Sequence, residues 1–261
     1  MQFNPKKIIT KKYLLLLSLM LFLGAFLITF FIYLSYQKQL QKDFVQNTAQ
    51  GFSQTIKTLN KASNIKGQID MLDASNPKIL KSTQQQIKII QDVLDNSKTQ
   101  ITKLEEMKQI SSLGKIGIVK KETLAFYQEI KSTYSKYLDC LQYFNDLNQI
   151  ISQFQEVEEG VKNQNILKEV EEKLLLITPP TELQNFHQSL LSEYQNEAEG
   201  SDELENNNSV DYNQQIESLY KDFQENINTT NDKSKQVKQL IIDQQILLKL
   251  KPLTIDIENW K

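Results

Sequence analysis

The chain has no arginine, one cysteine (Cys140) and one histidine (His187). A single cysteine excludes an intramolecular disulfide framework, a cysteine-based zinc site and an iron–sulfur cluster. A single histidine removes most histidine-ligand metal sites. It also removes the di-metal centres of helical proteins, which need Glu-x-x-His on each of two helices. Seven glycines and five prolines in 261 residues leave few positions for tight turns, which argues against a β-sandwich and for long helices. Neither charge dominates: 30 basic residues, all lysine, face 32 acidic ones.

Against these shortages stands one long apolar run. From Tyr13 to Tyr36 there is no charged residue, and Leu14-Leu15-Leu16-Leu17 through Phe30-Phe31-Ile32 is almost wholly apolar. As a helix this run reaches roughly 36 Å, enough to cross a hydrocarbon core of about 30 Å with modest tilt. A cleaved signal peptide would carry a shorter apolar region and small residues at its cleavage site. Leu34-Ser35-Tyr36-Gln37 offers no such site, so residues 13–36 are read as a retained transmembrane anchor. Tyr13, Tyr33 and Tyr36 stand at its ends, where amphipathic rings favour the headgroup zone.

Lysine placement sets the expected orientation. Lys6, Lys7, Lys11 and Lys12 precede the run with no acid among them, whereas Lys38 and Lys42 after it are partly offset by Asp43. The positive-inside rule then puts residues 1–12 in the cytoplasm and the bulk of the chain outside, as a single-pass protein of the cell membrane. Setting those four lysines aside leaves 26 lysines against 32 acids beyond the span, a net charge of −6. That balance disfavours nucleic acid and anionic lipid headgroups as partners.

Residues 37–251 read as an extracytoplasmic series of helices. Leu40, Phe44, Val45, Ala49, Phe52, Ile56 and Leu59 recur at helical spacing, so the anchor continues as a stalk to about Lys61. Gly51 should weaken it by roughly 1 kcal/mol. A polar connector from Asn64 to Ser75 precedes Asn76-Pro77, a helix start with Asn as cap and Pro at the first helical position. The next helix shows a seven-residue register of Leu80, Ile87, Ile90, Leu94, Ile101 and Leu104, with Thr83 and Ser97 between, closing at Leu113-Gly114 and Gly117.

A third helix is the most apolar, with Leu124, Tyr127, Ile130, Tyr134, Tyr137, Leu138, Leu141, Phe144, Leu147, Ile151 and Phe154. So wide a face should touch more than one neighbour. Beyond Gly160 a shorter helix carries Val161, Ile166, Leu167, Val170, Leu174 and Ile177. Thr178-Pro179-Pro180 breaks the chain, and Leu183, Phe186, Leu190, Leu191 and Tyr194 mark the helix after it. Ser201 to Tyr212 is polar, acidic and asparagine-rich, and reads as a loop. The last helix carries Ile216, Leu219, Tyr220, Phe223, Ile227, Val237, Ile241 and Leu248. Its stripe lapses over Thr229–Lys235, where a kink is expected, and Pro252 should end it. Residues 252–261 form a tail that can dock through Ile255, Ile257 and Trp260. The expected fold is all-α: a single transmembrane helix, then an elongated antiparallel bundle of about five or six helices.

Candidate chemistry is sparse. His187 lacks a glycine-rich nucleophile elbow and an oxyanion hole around it, so it is read as structural, its ring packed near Pro180 and satisfying a carbonyl freed by the proline pair. Cys140 shares the apolar face of Tyr137, Leu141 and Phe144 and is read as a buried small side chain. The acidic groups Glu156-Glu158-Glu159, Glu169-Glu171-Glu172 and those of residues 197–211 lack calcium-loop spacing and are read as solvated. Gly114-Lys115-Ile116-Gly117 lacks the phosphate-loop pattern and is read as a turn. Asn207-Asn208-Ser209 and Asn228-Thr229-Thr230 are chance sequons of an asparagine-rich chain. No catalytic, cofactor-binding or metal-ligating residue is assigned, no cofactor is expected, and the chain is read as a non-enzyme.

Thr178-Pro179-Pro180-Thr181-Glu182-Leu183, followed by His187 and Leu190-Leu191, resembles a Pro-Pro-x-Glu-Leu…His-x-x-Leu segment of uncharacterised bacterial membrane-anchored helical surface proteins. The resemblance covers that stretch alone and implies an anchored, helical ectodomain with no attached activity. The lysine-, isoleucine- and asparagine-rich composition is similar to that of AT-rich bacterial genomes, while the glutamine content also fits ciliates. The expected function is a scaffold or protein-interaction module of the cell envelope, held in the lipid bilayer by residues 13–36. It would engage a protein partner, or itself, through the helices. The alternative is a ligand-sensing ectodomain working with a separate signalling subunit.

Overall fold

The computed structural model describes residues 5–63, 77–107, 114–154, 164–199, 212–255 and 257. Among these residues the chain is 91% helical with no strand. Six helices follow in order: α1 (Pro5–Ser63), α2 (Pro77–Glu106), α3 (Gly114–Phe154), α4 (Gln164–Leu174), α5 (Gln184–Glu199) and α6 (Tyr212–Leu247). A single 3₁₀ turn, Thr181–Leu183, leads into α5.

α1 is one uninterrupted helix with two environments. Its first half is long and apolar enough to cross a membrane, with a mean hydropathy of 2.7, and none of that window is buried against the rest of the protein. Hydroxyls within it are satisfied by the helix itself: Ser18 Oγ donates to the Leu15 carbonyl (2.9 Å) and Thr29 Oγ1 to that of Ala25 (3.0 Å). Such back-bonding is what a hydroxyl needs where no water is present. From Phe44 the environment inverts. Phe44, Val45, Ala49, Phe52, Ile56 and Leu59 are all buried, as their spacing predicts.

α3 is the centre of the packing and contacts α1, α2, α4 and α6, while α1 also contacts α2 and α6. Phe126, Tyr127, Ile130, Tyr134, Leu141, Phe144 and Leu147 are essentially inaccessible to solvent. Phe52 of α1 meets Phe126 with ring centroids 5.4 Å apart, and Tyr137 stacks on Phe223 of α6 at 3.9 Å. Lys233 of α6 pairs with Glu129 of α3 at 2.7 Å. Near the other end of α3, Lys120 Nζ donates to the Met107 carbonyl just past α2 (2.7 Å).

The register of α2 differs from the expected one. Its buried column is Gln86, Ile90, Val93, Ser97, Gln100 and Leu104, a regular alternation of four and three residues. Ile87, Leu94 and Ile101 form a flanking column that is only partly buried, and the Leu80 side chain lies outside the described residues. Three of the six central positions are therefore polar. Gln100 lies directly over Gly51 of α1, and its Nε2 donates to Asn96 Oδ1 (3.4 Å). The same oxygen accepts from Thr55 Oγ1 (3.2 Å).

α6 shows the same effect. No break occurs over Thr229–Lys235: α6 runs through it as one helix, and Thr230, Asn231 and Ser234 are buried and carry the seam where apolar residues lapse. Thr230 Oγ1 and Ser234 Oγ donate back to the carbonyls of Asn226 and Asn231, which makes their burial inexpensive. Nor does Pro252 end this helix. Lys249 adopts φ 56°, and the Leu250 amide donates to the Gln245 carbonyl (2.7 Å), closing the helix three residues earlier. Leu253, Ile255 and Ile257 then pack on the core as expected, with Trp260 outside the described residues.

The turn expected at Gly114–Gly117 is also revised. Gly114, with φ +81°, begins α3, and Lys115, Ile116 and Gly117 already lie in the helix. The connectors at 64–76 and 155–163, the loop of residues 200–211 and the Asn207 sequon fall outside the described residues.

Candidate functional site

α4 ends in a tightened turn, with the Leu176 and Ile177 amides donating to the carbonyls of Lys173 and Leu174. Pro179 and Pro180 follow, neither with an amide hydrogen, and Pro180 is extended at φ −59°, ψ 157°. Two residues that cannot donate hold the chain away from α3, and a groove of about 730 Å³ remains between them. Its floor is one face of α3, where Asp139, Tyr143, Asp146 and Ile150 recur at spacings of four, three and four. Its wall is Lys173, Leu176, Ile177 and the Pro179-Pro180 pair.

The groove is amphipathic. Leu176 is 85% exposed on the rim and Leu175 57%, an unusual pair of free leucines for a surface turn. Asp139 and Asp146 are exposed on the opposite side. Lys173, on the groove wall, pairs with Glu169 one turn earlier on α4 at 3.4 Å. Lys136 pairs with Glu182 at 3.5 Å beside the 3₁₀ turn.

His187 lies behind this floor and is 6% exposed. Its Nδ1 shares a hydrogen bond with the Tyr143 hydroxyl at 3.0 Å, and the rings meet edge to face. This corrects the expectation that the imidazole serves the proline pair. The Pro180 carbonyl instead accepts from the Leu183 amide (2.9 Å), so the 3₁₀ turn satisfies it through backbone alone. The histidine ties α5 to α3, and Phe186 beside it packs on Tyr143 and Phe144. Tyr143 thus has one face in the groove and its hydroxyl held from behind.

Burial lowers the His187 pKa below its usual value. The neutral ring therefore belongs to the folded state, while the unfolded chain takes up a proton below about pH 6.5. The unfolded state binds more protons in that window, so this residue should make folding stability fall as pH drops below about 6.5. Replacing His187 with Gln should cost no more than ~1–2 kcal/mol at pH 7.5. The gap between wild type and variant should narrow at pH 5.5. Urea denaturation at both pH values checks this, and a gap that widens on acidification would refute it.

Cys140 is 3% exposed, as expected for a buried small side chain. Burial, with Glu182 and Asp139 nearby, pushes its thiol up to about 12, far from nucleophilic range. Glu169 is paired with Lys173, and Glu171 accepts from Gln195 of α5 at 2.9 Å. Among the described residues no three His, Cys, Asp or Glu side chains converge as a metal site. Glu156, Glu158, Glu159 and the loop acids from Asp202 onward lie outside the described residues. Asn228 of the second sequon is exposed on α6.

The sequence signalled the Pro-Pro break and His187 but not Asp139, Tyr143 or Asp146. Their spacing is helical, yet nothing local marks that face of α3 as the one opposite α4. Comparison with known protein families, with curated proteins and with solved structures finds no match to this chain.

Proposed function

We propose that this chain is a single-span membrane protein whose ectodomain is an elongated antiparallel helical bundle acting as a non-enzymatic interaction module of the cell envelope. In this reading residues 13–36 are the anchor, the short N-terminus is cytoplasmic and the rest is extracytoplasmic. The observation that carries it is the continuity of α1. A single helix leaves a wholly exposed apolar half and enters a close-packed core without a break, so whatever that core binds is held on a rigid stem. The contacts Gly51–Gln100 and Thr55–Asn96 between α1 and α2, and Tyr137–Phe223 and Glu129–Lys233 between α3 and α6, run in opposite directions along the chain and support antiparallel neighbours. The segment around Pro179, Pro180 and His187, with its resemblance to anchored helical surface proteins, fits the same reading.

The groove is the docking surface this reading favours. It is open on one side and lined by exposed leucine and aspartate, which suits a protein segment carrying lysine or arginine better than an enclosed small molecule. The test is a photo-crosslinking residue at Leu176 in the full-length chain in its native membrane. A discrete protein adduct is expected, lost on Asp139→Lys/Asp146→Lys and unchanged by Gln188→Lys on the outer face of α5. No adduct from a folded, membrane-bound chain, or one indifferent to the aspartates, would overturn the assignment.

A further inference from the structure

Among the described residues, apart from the apolar half of α1 and the Leu175-Leu176 pair, the large exposed apolar side chains are Ile118 near the start of α3 and Ile246 and Leu247 at the end of α6, 50%, 61% and 63% exposed. They converge on one end of the core. Lys120 reaches the Met107 carbonyl, so α3 begins where α2 ends, and Gln100 and Asn96 of α2 lie on Gly51 and Thr55 of α1. Gln245 shares a second groove with Gln46 and Ala49 of α1, and α6 runs on from there toward the apolar half of α1. Gln37 and Leu40 are already partly buried, so the base of the core reaches nearly to Tyr36.

Height follows from helix geometry. Phe52 meets Phe126, and Tyr137 and Glu129 meet Phe223 and Lys233, so Ile246 and Leu247 stand level with about residues 39–42 of α1, roughly 5–9 Å beyond Tyr36, and Ile118 with about residue 44, roughly 12 Å beyond it. The headgroup zone is about 5–7 Å deep on each side of the hydrocarbon. A tilt of about 20° would lower one edge of the base by a further ~3 Å. The charge of this end is opposite to that of the ectodomain. Lys38, Lys42, Lys115, Lys121, Lys249 and Lys251 outnumber Asp43, Glu105, Glu106 and Asp243, whereas the chain beyond the apolar run is net acidic.

We propose that Ile118, Ile246 and Leu247, with the lysines around them, form a second membrane contact. This base rests on the anionic headgroups of the same leaflet that α1 enters. Apolar side chains enter the boundary between headgroup and acyl chain, and the lysines add electrostatic attraction. The contact would fix the tilt of the stem and so the height of the Leu176 groove above the membrane. The inference rests on α1 spanning the bilayer, and its test separates the two.

Full-length chain carrying Trp260→Phe is reconstituted in vesicles of neutral and anionic phospholipid with brominated acyl chains, with one tryptophan placed at Phe22, Leu247 or Leu176. Emission should be strongly quenched at Phe22, quenched by about half at Leu247 and unaffected at Leu176. Ionic strength near 1 M, where screening acts within about 3 Å, should relieve quenching at Leu247 alone. Quenching at Phe22 with none at Leu247 overturns the second contact and leaves the anchor standing. No quenching at Phe22 overturns both. A blue shift at Leu247 without quenching, growing with protein-to-lipid ratio, would show a second copy on this face and also overturn the proposal. So would quenching at Leu247 only by brominated vesicles added from outside.

Discussion

Changing Leu141 to Asp should cost about 4 kcal/mol or more, a large part of the ~5–15 kcal/mol that holds a typical domain together. Leu141 is 1% exposed on α3, the helix against which the other helices pack. A carboxylate there has no cation among the buried side chains of the described residues and cannot reach water without parting α3 from its neighbours. Truncation to Ala removes packing without adding charge, and should cost about 2–5 kcal/mol. In a chain of this size each kcal/mol moves Tm by about 2–4 °C, so the Asp variant should melt at least ~8 °C low or fail to fold. Circular dichroism of the segment from residue 38 onward checks both the expected high helicity and the shift. A melt within a degree or two of wild type would remove α3 from the centre of the fold.

Gly51 gives the second large effect, and its sign is diagnostic. At an exposed helical site Gly→Ala gains roughly 1 kcal/mol. Here a Cβ would run into the Gln100 side chain, which is buried and bonded to Asn96. Gly51→Ala should therefore destabilise by about 1 kcal/mol, and Gly51→Leu, which drives α1 from α2, by about 3 kcal/mol. Removing the obstacle should reverse the sign: in a Gln100→Ala background Gly51→Ala should stabilise by about 1 kcal/mol. Chemical denaturation of the four variants closes the cycle. If Gly51→Ala were stabilising in the wild-type background, the close approach of α1 and α2 would be absent.

These two sites also show what was legible in the sequence. Apolar periodicity found the helices, because Phe44 to Leu59 and Leu124 to Leu147 repeat at the helical period. It misplaced the centre of α2, since Ile87, Leu94 and Ile101 align as well as the true column does. Ser97 was placed in the seam and is buried there, but Gln86 and Gln100 share that column and are invisible to a reading that counts apolar residues. Thr230, Asn231 and Ser234 produced the same error in α6, where buried polar residues, two of them bonded to their own backbone, were taken for an interruption. Gly51 looked like a flaw in a helix until its neighbour was known. The groove was half legible: the double proline marks a break in any sequence, but Asp139 and Asp146 acquire meaning only when α4 lies opposite. His187 was read as serving that break, and its actual partner Tyr143, 44 residues earlier, could be supplied only by the fold.

The central claim is that α1 is at once the anchor and the stem of an outward-facing helical domain. Protease added to intact cells tests it most directly, read by antibodies against each end of the full-length chain. The expected result is loss of everything beyond about residue 40, with a membrane-bound N-terminal fragment that resists digestion until the membrane is opened. A protein found soluble outside the cell and beginning near residue 36 would contradict the anchor. A chain digested only after the membrane is opened would contradict the orientation.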